Sequence, residues 1–326
     1  MSFVLLSGPI YAALDLGTNN CRMLVARPVE RGFAVIDAFS RITRLGEGVA
    51  ASGRLSPAAM SRTVDALKAC ADRMRRQKVT RARLVATEAC RRAVNHADFA
   101  RRVEGETGLI LDVIAPDEEA ALALAGCAPL LEPDRHRALV FDIGGGSTEL
   151  MWVDNGADGR HIRGMTSLPL GVVTLSEARG PDLMTPDGYE RVVADMAGQL
   201  ADFESSHDIT PHLAQGTVQM LGTSGTVTTL GALHLDLPRY DRQMVDGLDL
   251  ELSDIRVVVD RLMRMSVQER ARHPCVGPER ADLVLAGCAI LDAICRLWPL
   301  RSLRVADRGV REGVLLGLIA SEGEAS

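Results

Sequence analysis

Two stretches of this chain share one form, and together they leave few folds open. "YAALDLGTNNCRMLVARP" runs from an apolar strand through Asp15 and a glycine turn into a second apolar strand, and "ALVFDIGGGSTELMWVD" does the same around Asp142. Period-2 or continuous apolar residues on both sides of a short Gly, Ser, Thr or Asn turn are a hairpin signal. The same hairpin met twice reads as an internal duplication.

The segments after the two hairpins extend the parallel. The first hairpin leads to a strand in "GFAVIDAFSRITRL", then a helix opening at Ser56 as N-cap with Pro57 at N1. The strand "RARLVATEA", the helix "NHADFARRVEGETG" ending at Gly108, the strand "LDVIA" and the helix "DEEAALALAG" complete that half. The second hairpin leads to the strand "RHIRGMTSLPLG", a helix starting at "VVTLSEA", and a helix capped by Thr185 with Pro186 at N1. "TVQMLGTSGTVTTLGAL" reads as strand, glycine turn and helix. Long amphipathic helices are expected at about 253–272 and 278–297, before the strand "SLRVAD", the turn "RGVREG" and the helix "VLLGLIA". Strand blocks followed by βα alternation, twice over, predict an α/β protein of two domains with mixed sheets flanking a central cleft. The expected domains are 1–123 and 124–326, with the last helix, about 311–321, packing back on the first.

Composition agrees with that architecture and excludes some functions. With 326 residues, 47% of them hydrophobic, the chain has material for two cores at roughly 100–200 residues per domain. The opening "MSFVLLSGPIYAAL" lacks a basic start and is broken by Gly8 and Pro9, so it reads as part of the mature fold rather than a secretory signal. No segment offers the ~20 uninterrupted apolar residues of a membrane span, so a soluble protein without a membrane partner is expected. Cys21, Cys70, Cys90, Cys127, Cys275, Cys288 and Cys295 form no C-x-x-C pair and no zinc spacing, which fits reduced thiols in a cytoplasm. The seven histidines share no spacing and are assigned no metal. A net charge of -6 argues against nucleic acid as partner. Basic residues do crowd between Arg73 and Arg102, where only Glu88 and Asp98 oppose them, as either a polyanion site or a solvated helix face. The apolar helices near 253–297 fit a homodimer face as well as a core.

The chemistry gathers in the glycine turns. Asp15-Leu-Gly-Thr-Asn, Asp142-Ile-Gly-Gly-Gly-Ser and Gly222-Thr-Ser-Gly-Thr each follow an apolar strand. Small residues let successive backbone N–H groups face one concavity, hydroxyls add donors, and the arrangement holds phosphate oxygens. Aspartates at the strand ends are placed to hold Mg²⁺ against those phosphates. A P-loop is absent, and "LGEGVAASG" spaces its glycines wrongly for a dinucleotide. Cys70 and Arg76 have a cysteine-phosphatase offset but sit in a helical pattern, so Cys70 reads as core.

This pattern resembles the actin-like, or sugar kinase and Hsp70-like, superfamily, in which two ribonuclease H-like domains clamp a polyphosphate between paired phosphate loops. More narrowly it is similar to the exopolyphosphatase and guanosine pentaphosphate phosphohydrolase (Ppx/GppA) family. The motifs are "ALDLGTNNCRMLVA", "VATEACRRAVN", "VIAPDEEAALALAG", "VFDIGGGSTEL", "SLPLGVVTLSE" with "LGTSGTVTTL", and "GPERADLVLAG" with "DRGVREG", in the family's order from residue 12 to 313. The resemblance implies that Glu119 is the catalytic base and Arg91 the cationic clamp. It implies Asp142 and Glu149, with Asp15 opposite, as ligands of Mg²⁺ or another divalent cation. Gly17, Thr18, Asn19, Asn20, Gly144, Gly145, Gly146, Ser147 and Thr148 would line the phosphates, with Gly222, Thr223, Ser224 and Arg280 as further contributors. Asn20 replaces the family's small hydroxyl residue, and Asp307 stands where many relatives carry serine. The implied activity is release of terminal orthophosphate from inorganic polyphosphate, or conversion of pppGpp to ppGpp. A kinase or ATPase of the same superfold and a silent polyphosphate or nucleotide sensor are the alternatives.

Overall fold

The computed structural model describes residues 8–30, 32–156 and 159–323, without the side chains of residues 322 and 323. The first seven residues of the apolar opening lie outside that description. Among the described residues no helix is long and apolar enough to cross a membrane. The chain forms two compact units: the first runs to Gly126 and resumes at Val310, and the second is Cys127–Gly309.

In the first unit, β1 (Tyr11–Leu16), β2 (Asn20–Pro28) and β3 (Phe33–Ile42) make an antiparallel meander. The short α1 (Val49–Ser52) precedes α2 (Pro57–Arg76), whose Ser56 cap accepts from the Ala59 N–H at 3.1 Å. Then come β4 (Arg81–Ala86), α3 (Glu88–Arg92), α4 (His96–Thr107), β5 (Asp112–Val113) and α5 (Pro116–Cys127). Gly108 closes α4 in the left-handed conformation, φ 72°. Strands β4 and β5 run parallel to β1, giving the order β3-β2-β1-β4-β5. The period-2 alternation of β1 sorts its side chains. Ala12, Leu14 and Leu16 join the core beneath α2 and α4, whereas Tyr11 and Ala13 face Ala123 of α5 and Val310, Val314 and Leu315 of the chain's last helix.

The second unit begins with another meander, β6 (Arg137–Ile143), β7 (Thr148–Gly156) and β8 (Gly159–Leu168). Helices α6 (Val172–Arg179), α7 (Pro186–His207) and α8 (Thr210–Leu213) lead to β9 (Val218–Thr223), which is parallel to β6. After α9 (Gly225–His234) and α10 (Arg242–Val245) come β10 (Asp249–Glu251), α11 (Leu252–Arg264), α12 (Val267–Arg272), α13 (Val284–Leu297) and β11 (Ser302–Ala306). The last helix, α14 (Val310–Gly323), returns to the first unit. The sheet order is β10-β11-β9-β6-β7-β8. Without the antiparallel edge strand β10, this is the first unit's order again: a meander with two parallel strands added beside its first strand. Both sheets have the ribonuclease H-like topology, so the duplicated hairpin marks a duplicated domain fold.

The structure corrects three local expectations. The helix expected at 253–272 is two helices, because Ser266 and Glu269 form a capping box that starts α12 afresh. The helix expected from 278 begins at Val284, after a turn that starts beyond Gly277 at φ 75°. The "RGVREG" segment is a turn only through Gly309, and the rest is the first turn of α14.

Candidate active site

Each unit carries its own set of polar groups at the ends of its central strands. In the first, Asp15 near the end of β1 is the register partner of Arg22 on β2 and Val85 on β4. Burial pushes the Asp15 carboxyl above its ordinary 3.8; Arg22 and Arg311 oppose the rise and Glu312 adds to it. The turn after it is held through its backbone. Gly17 N–H donates to the Asn20 carbonyl at 2.9 Å, the Asn19 carbonyl accepts from Thr43 and Arg44, and the Thr18 carbonyl accepts from Gly46. Its side chains are the reverse: Thr18 Oγ1, Asn19 Oδ1 and Asn20 Oδ1, with the neighbouring Thr43 Oγ1, are buried without a hydrogen-bond partner. Buried oxygens left in this state cost free energy unless solvent or a ligand completes them. Gly17 itself has no packing reason, since an added Cβ would meet nothing nearer than the Asn20 carbonyl oxygen at 3.7 Å.

Beside β4, the "ATEACRR" segment folds as α3 and brings Arg91 to the start of α5. One guanidinium nitrogen, Nη1, donates to the Ile114 carbonyl at 2.9 Å and to Glu119 Oε2 at 2.7 Å, while Nη2 donates to Glu88 Oε2 at 3.2 Å. The three side chains are only 12–15% exposed. Burial works against the Arg91 charge, but Glu119 and Glu88 outweigh it and raise its pKa. The two glutamates of "DEEA" thereby part company: Glu118 is 43% exposed and pairs with Arg83, while Glu119 is sunk against Arg91.

In the second unit the strand register lines up a polar row. Asp142 on β6 is the partner of Glu149 on β7 and of Thr223 on β9, and Glu149 is the partner of Ser167 on β8. Directly opposed residues point to one face of a sheet. Ser167 Oγ donates to Glu149 Oε1 at 2.8 Å, and Glu149 is 2% exposed. Ser167 opened a motif in the sequence without being given a role; only the β7–β8 register reveals it. The glycine turn is tied down by α6: Val172 N–H donates to the Gly144 carbonyl and Val173 N–H to the Gly145 carbonyl. Gly171 makes this approach possible, since a Cβ there would lie 2.4 Å from the Gly145 carbonyl carbon. Ser147 and Thr148 are buried, and the Thr148 hydroxyl donates to the Leu170 carbonyl at 2.7 Å.

The third glycine segment is largely engaged with the protein. A Cβ on Gly222 would strike the Phe141 ring at 2.5 Å, Thr223 Oγ1 donates to the Arg308 carbonyl, and Ser224 Oγ caps α9 by accepting from Thr226 and Val227. Arg280 donates to Thr229 Oγ1 at 3.3 Å, one helical turn further along α9. Asp307 accepts from the Tyr240 hydroxyl, and its neighbour Arg308 pairs with Asp246.

Two charge patterns come out differently from a linear reading. Much of the basic run is ion-paired: Arg73 with Asp37, Arg75 with Asp72, Arg83 with Asp112 and Glu118, Arg101 with Asp98 and Arg102 with Glu106. A paired, solvated face describes these residues better than a bare cationic strip. Among the described residues, no three His, Cys, Asp or Glu side chains cluster as metal ligands. The Asp142–Glu149 pair suits a cation that takes one or two carboxylates and completes its shell with water and phosphate oxygens, as Mg²⁺ does.

Comparison with known proteins agrees with the fold and with the motifs. The family model described as the Ppx/GppA phosphatase family matches residues 24–322. Exopolyphosphatase 2 of Mycobacterium tuberculosis is 31% identical over 327 residues, covering 94% of this chain and 98% of that protein. The crystal structure of the Aquifex aeolicus member of the Ppx/GppA family has a TM-score of 0.77 at 32% identity, covering 96% of this chain and 98% of that one. An exopolyphosphatase from Cytophaga hutchinsonii superposes with a TM-score of 0.86 over 96% and 98% of the two chains; at 22% identity it bears on the fold alone. With the family model spanning both units, and relatives above 30% identity matched nearly end to end, the chain belongs to the Ppx/GppA phosphatase family.

Proposed function

We propose that this protein is a Mg²⁺-dependent phosphohydrolase that releases terminal orthophosphate from inorganic polyphosphate. The observation that carries the reading is Glu119: a carboxylate 12% exposed, with Oε2 2.7 Å from the Arg91 guanidinium. A carboxylate in that setting can orient a water for in-line attack and take its proton. Hydrolysis of a phosphoanhydride asks for little more than such a water, neutralised phosphoryl oxygens and a cation that would offset the charge of the leaving phosphate.

Asp142 and Glu149, register partners on β6 and β7, are the proposed ligands of Mg²⁺. Bound there, the metal would neutralise phosphate charge. Ser167 fixes one oxygen of Glu149 and so aims the other. Backbone N–H groups of the two glycine turns are proposed to hold the phosphates. The partnerless Thr18 hydroxyl, which can donate to a phosphate oxygen, and the unexplained Gly17 support that reading for the first turn. The seven cysteines, all free and buried, are consistent with a cytoplasmic setting.

The test is orthophosphate release from polyphosphate and from pppGpp, whose terminal phosphoanhydride is chemically the same, by wild type and by Glu119→Gln. We expect turnover to fall about 10²–10⁴-fold in the variant with binding retained. Unchanged turnover would sink the role of Glu119. ADP formed from ATP only with an acceptor present would make the chain a kinase, and polyphosphate binding without phosphate release at any Mg²⁺ level would make it a sensor.

A further inference from the structure

The Arg91 contacts include a carboxylate that the proposed mechanism does not use. Glu88 is the first residue of α3 and is 13% exposed. Its two oxygens face different arginines, Oε2 lying 3.2 Å from Arg91 Nη2 and Oε1 3.8 Å from Arg92 Nε. Arg91 is thus held at three acceptors: the Ile114 carbonyl and Glu119 on Nη1, and Glu88 on Nη2.

The geometry of a guanidinium gives the third contact its meaning. The group is planar and rigid, with its donors in a fixed fork. Two acceptors on Nη1 tie down one tip of that fork. An acceptor on Nη2 ties down the other tip, so tilting of the group, which would change the direction from which Nη1 meets the Glu119 carboxylate, is opposed at both ends. The Ile114 carbonyl adds a backbone reference, because the Ile114 N–H is itself held by the Ala86 carbonyl at the end of β4. The orientation of Glu119 is therefore set relative to the sheet through Arg91, and Glu88 completes the setting.

We propose that Glu88 is a positioning residue for phosphoanhydride hydrolysis: by anchoring the second arm of Arg91, it holds the carboxylate of Glu119 in the direction needed to orient water. This rests on the assignment of Glu119 as the base. Glu88 touches no reacting atom, so its removal should be felt in turnover far more than in substrate binding. A base turned away from its water loses rate steeply with small displacements.

The experiment compares wild type, Glu88→Ala and Glu88→Gln for phosphate release from short-chain polyphosphate, alongside the guanidinium ¹⁵N signals of Arg91. Glu88→Ala should lower kcat about tenfold or more while KM changes less than about threefold. Glu88→Gln keeps an oxygen able to accept from Nη2 and should recover kcat to within about threefold of wild type. The two Nη signals should be distinct in wild type and Glu88→Gln, and averaged by rotation in Glu88→Ala. A kcat unchanged in Glu88→Ala, or a Glu88→Gln protein as slow as Glu88→Ala, would overturn the proposal. If Glu88→Ala does not fold, Glu88→Gln still decides: averaged Nη signals in that variant refute the anchoring. If wild type releases no phosphate, the assignment of function fails, and distinct versus averaged signals alone judge whether Glu88 anchors Arg91.

Discussion

At Gly171 the absence of one methyl group is what lets α6 sit against the glycine turn. An alanine there would place its Cβ 2.4 Å from the Gly145 carbonyl carbon and 2.6 Å from the Gly144 oxygen, with backbone on the receiving side and no flexible side chain to yield. Gly171→Ala should cost about 1–3 kcal/mol and displace the turn, seen as a lower urea midpoint together with weaker phosphate release. Ser167 offers a cleaner test of the metal assignment. Ser167→Ala removes the hydroxyl that holds Glu149 Oε1 and nothing else, so the Mg²⁺ concentration at half-maximal activity should rise about 10–100-fold. An unchanged Mg²⁺ requirement would detach Glu149 from the metal. Both residues stood inside the motif "SLPLGVVTLSE", yet their roles were unreadable there. One depends on a cross-strand register and the other on a loop brought against a helix start, and neither partner is near in sequence. Thr148 teaches the same from the other side: it looks like a phosphate donor in "GGGST", but its hydroxyl donates to Leu170.

Elements whose signals are local were legible, and those decided by distant packing were not. Both hairpins, the Ser56 and Thr185 caps and the Gly108 stop arise from residues within a few positions of one another. The break between α11 and α12 was also written locally, as Ser266 followed three residues later by Glu269, but the continuing apolar periodicity obscured it. Strand β10 is three residues long and exists because it pairs with β11, which lies about fifty residues further on. The arginines from 73 to 102 looked unopposed because acids such as Asp37, Asp112 and Glu118 come from other elements. The end of α12 carries a pH signature. Burial, then Arg261, lowers the His273 pKa below 6.5, and its neutral Nδ1 accepts from the Cys275 N–H at 3.3 Å. Between that lowered pKa and 6.5 the unfolded chain takes up the proton more readily, so stability should fall as pH drops through the window. Both tryptophans, Trp152 and Trp298, lie in the second unit's core, so their fluorescence isolates this effect. The urea midpoint should drop from pH 7.5 to 5.5 in wild type and drop less in His273→Gln.

For the whole molecule, the governing fact is that the first unit is made from both ends of the chain. Val310, Val314 and Leu315 of α14 cover Tyr11, Ala13 and Val85, and Gly313 lets α14 approach within 2.0 Å, measured from an added Cβ, of the Leu122 carbonyl oxygen. Burying three such side chains contributes about 5–9 kcal/mol, comparable to the stability of an entire domain. A chain ending at Gly309 should therefore keep the second unit's cooperative tryptophan transition while its first unit is cleaved rapidly by protease. A first unit that resists proteolysis without α14 would show that the helix is dispensable.

The interleaving also sets a timetable. A ribosome makes most of the first unit first, then the second unit from beginning to end, and only afterwards the helix that closes the first. The earlier-made domain is the later finished. Until Val310 and the residues after it emerge, the face of β1 that carries Tyr11 and Ala13 is only partly covered, by Ala123 of α5 and its neighbours. The nascent chain thus carries the Asp15 turn, Arg91 and Glu119 long before it has a finished first unit to hold them, and their setting waits on α14.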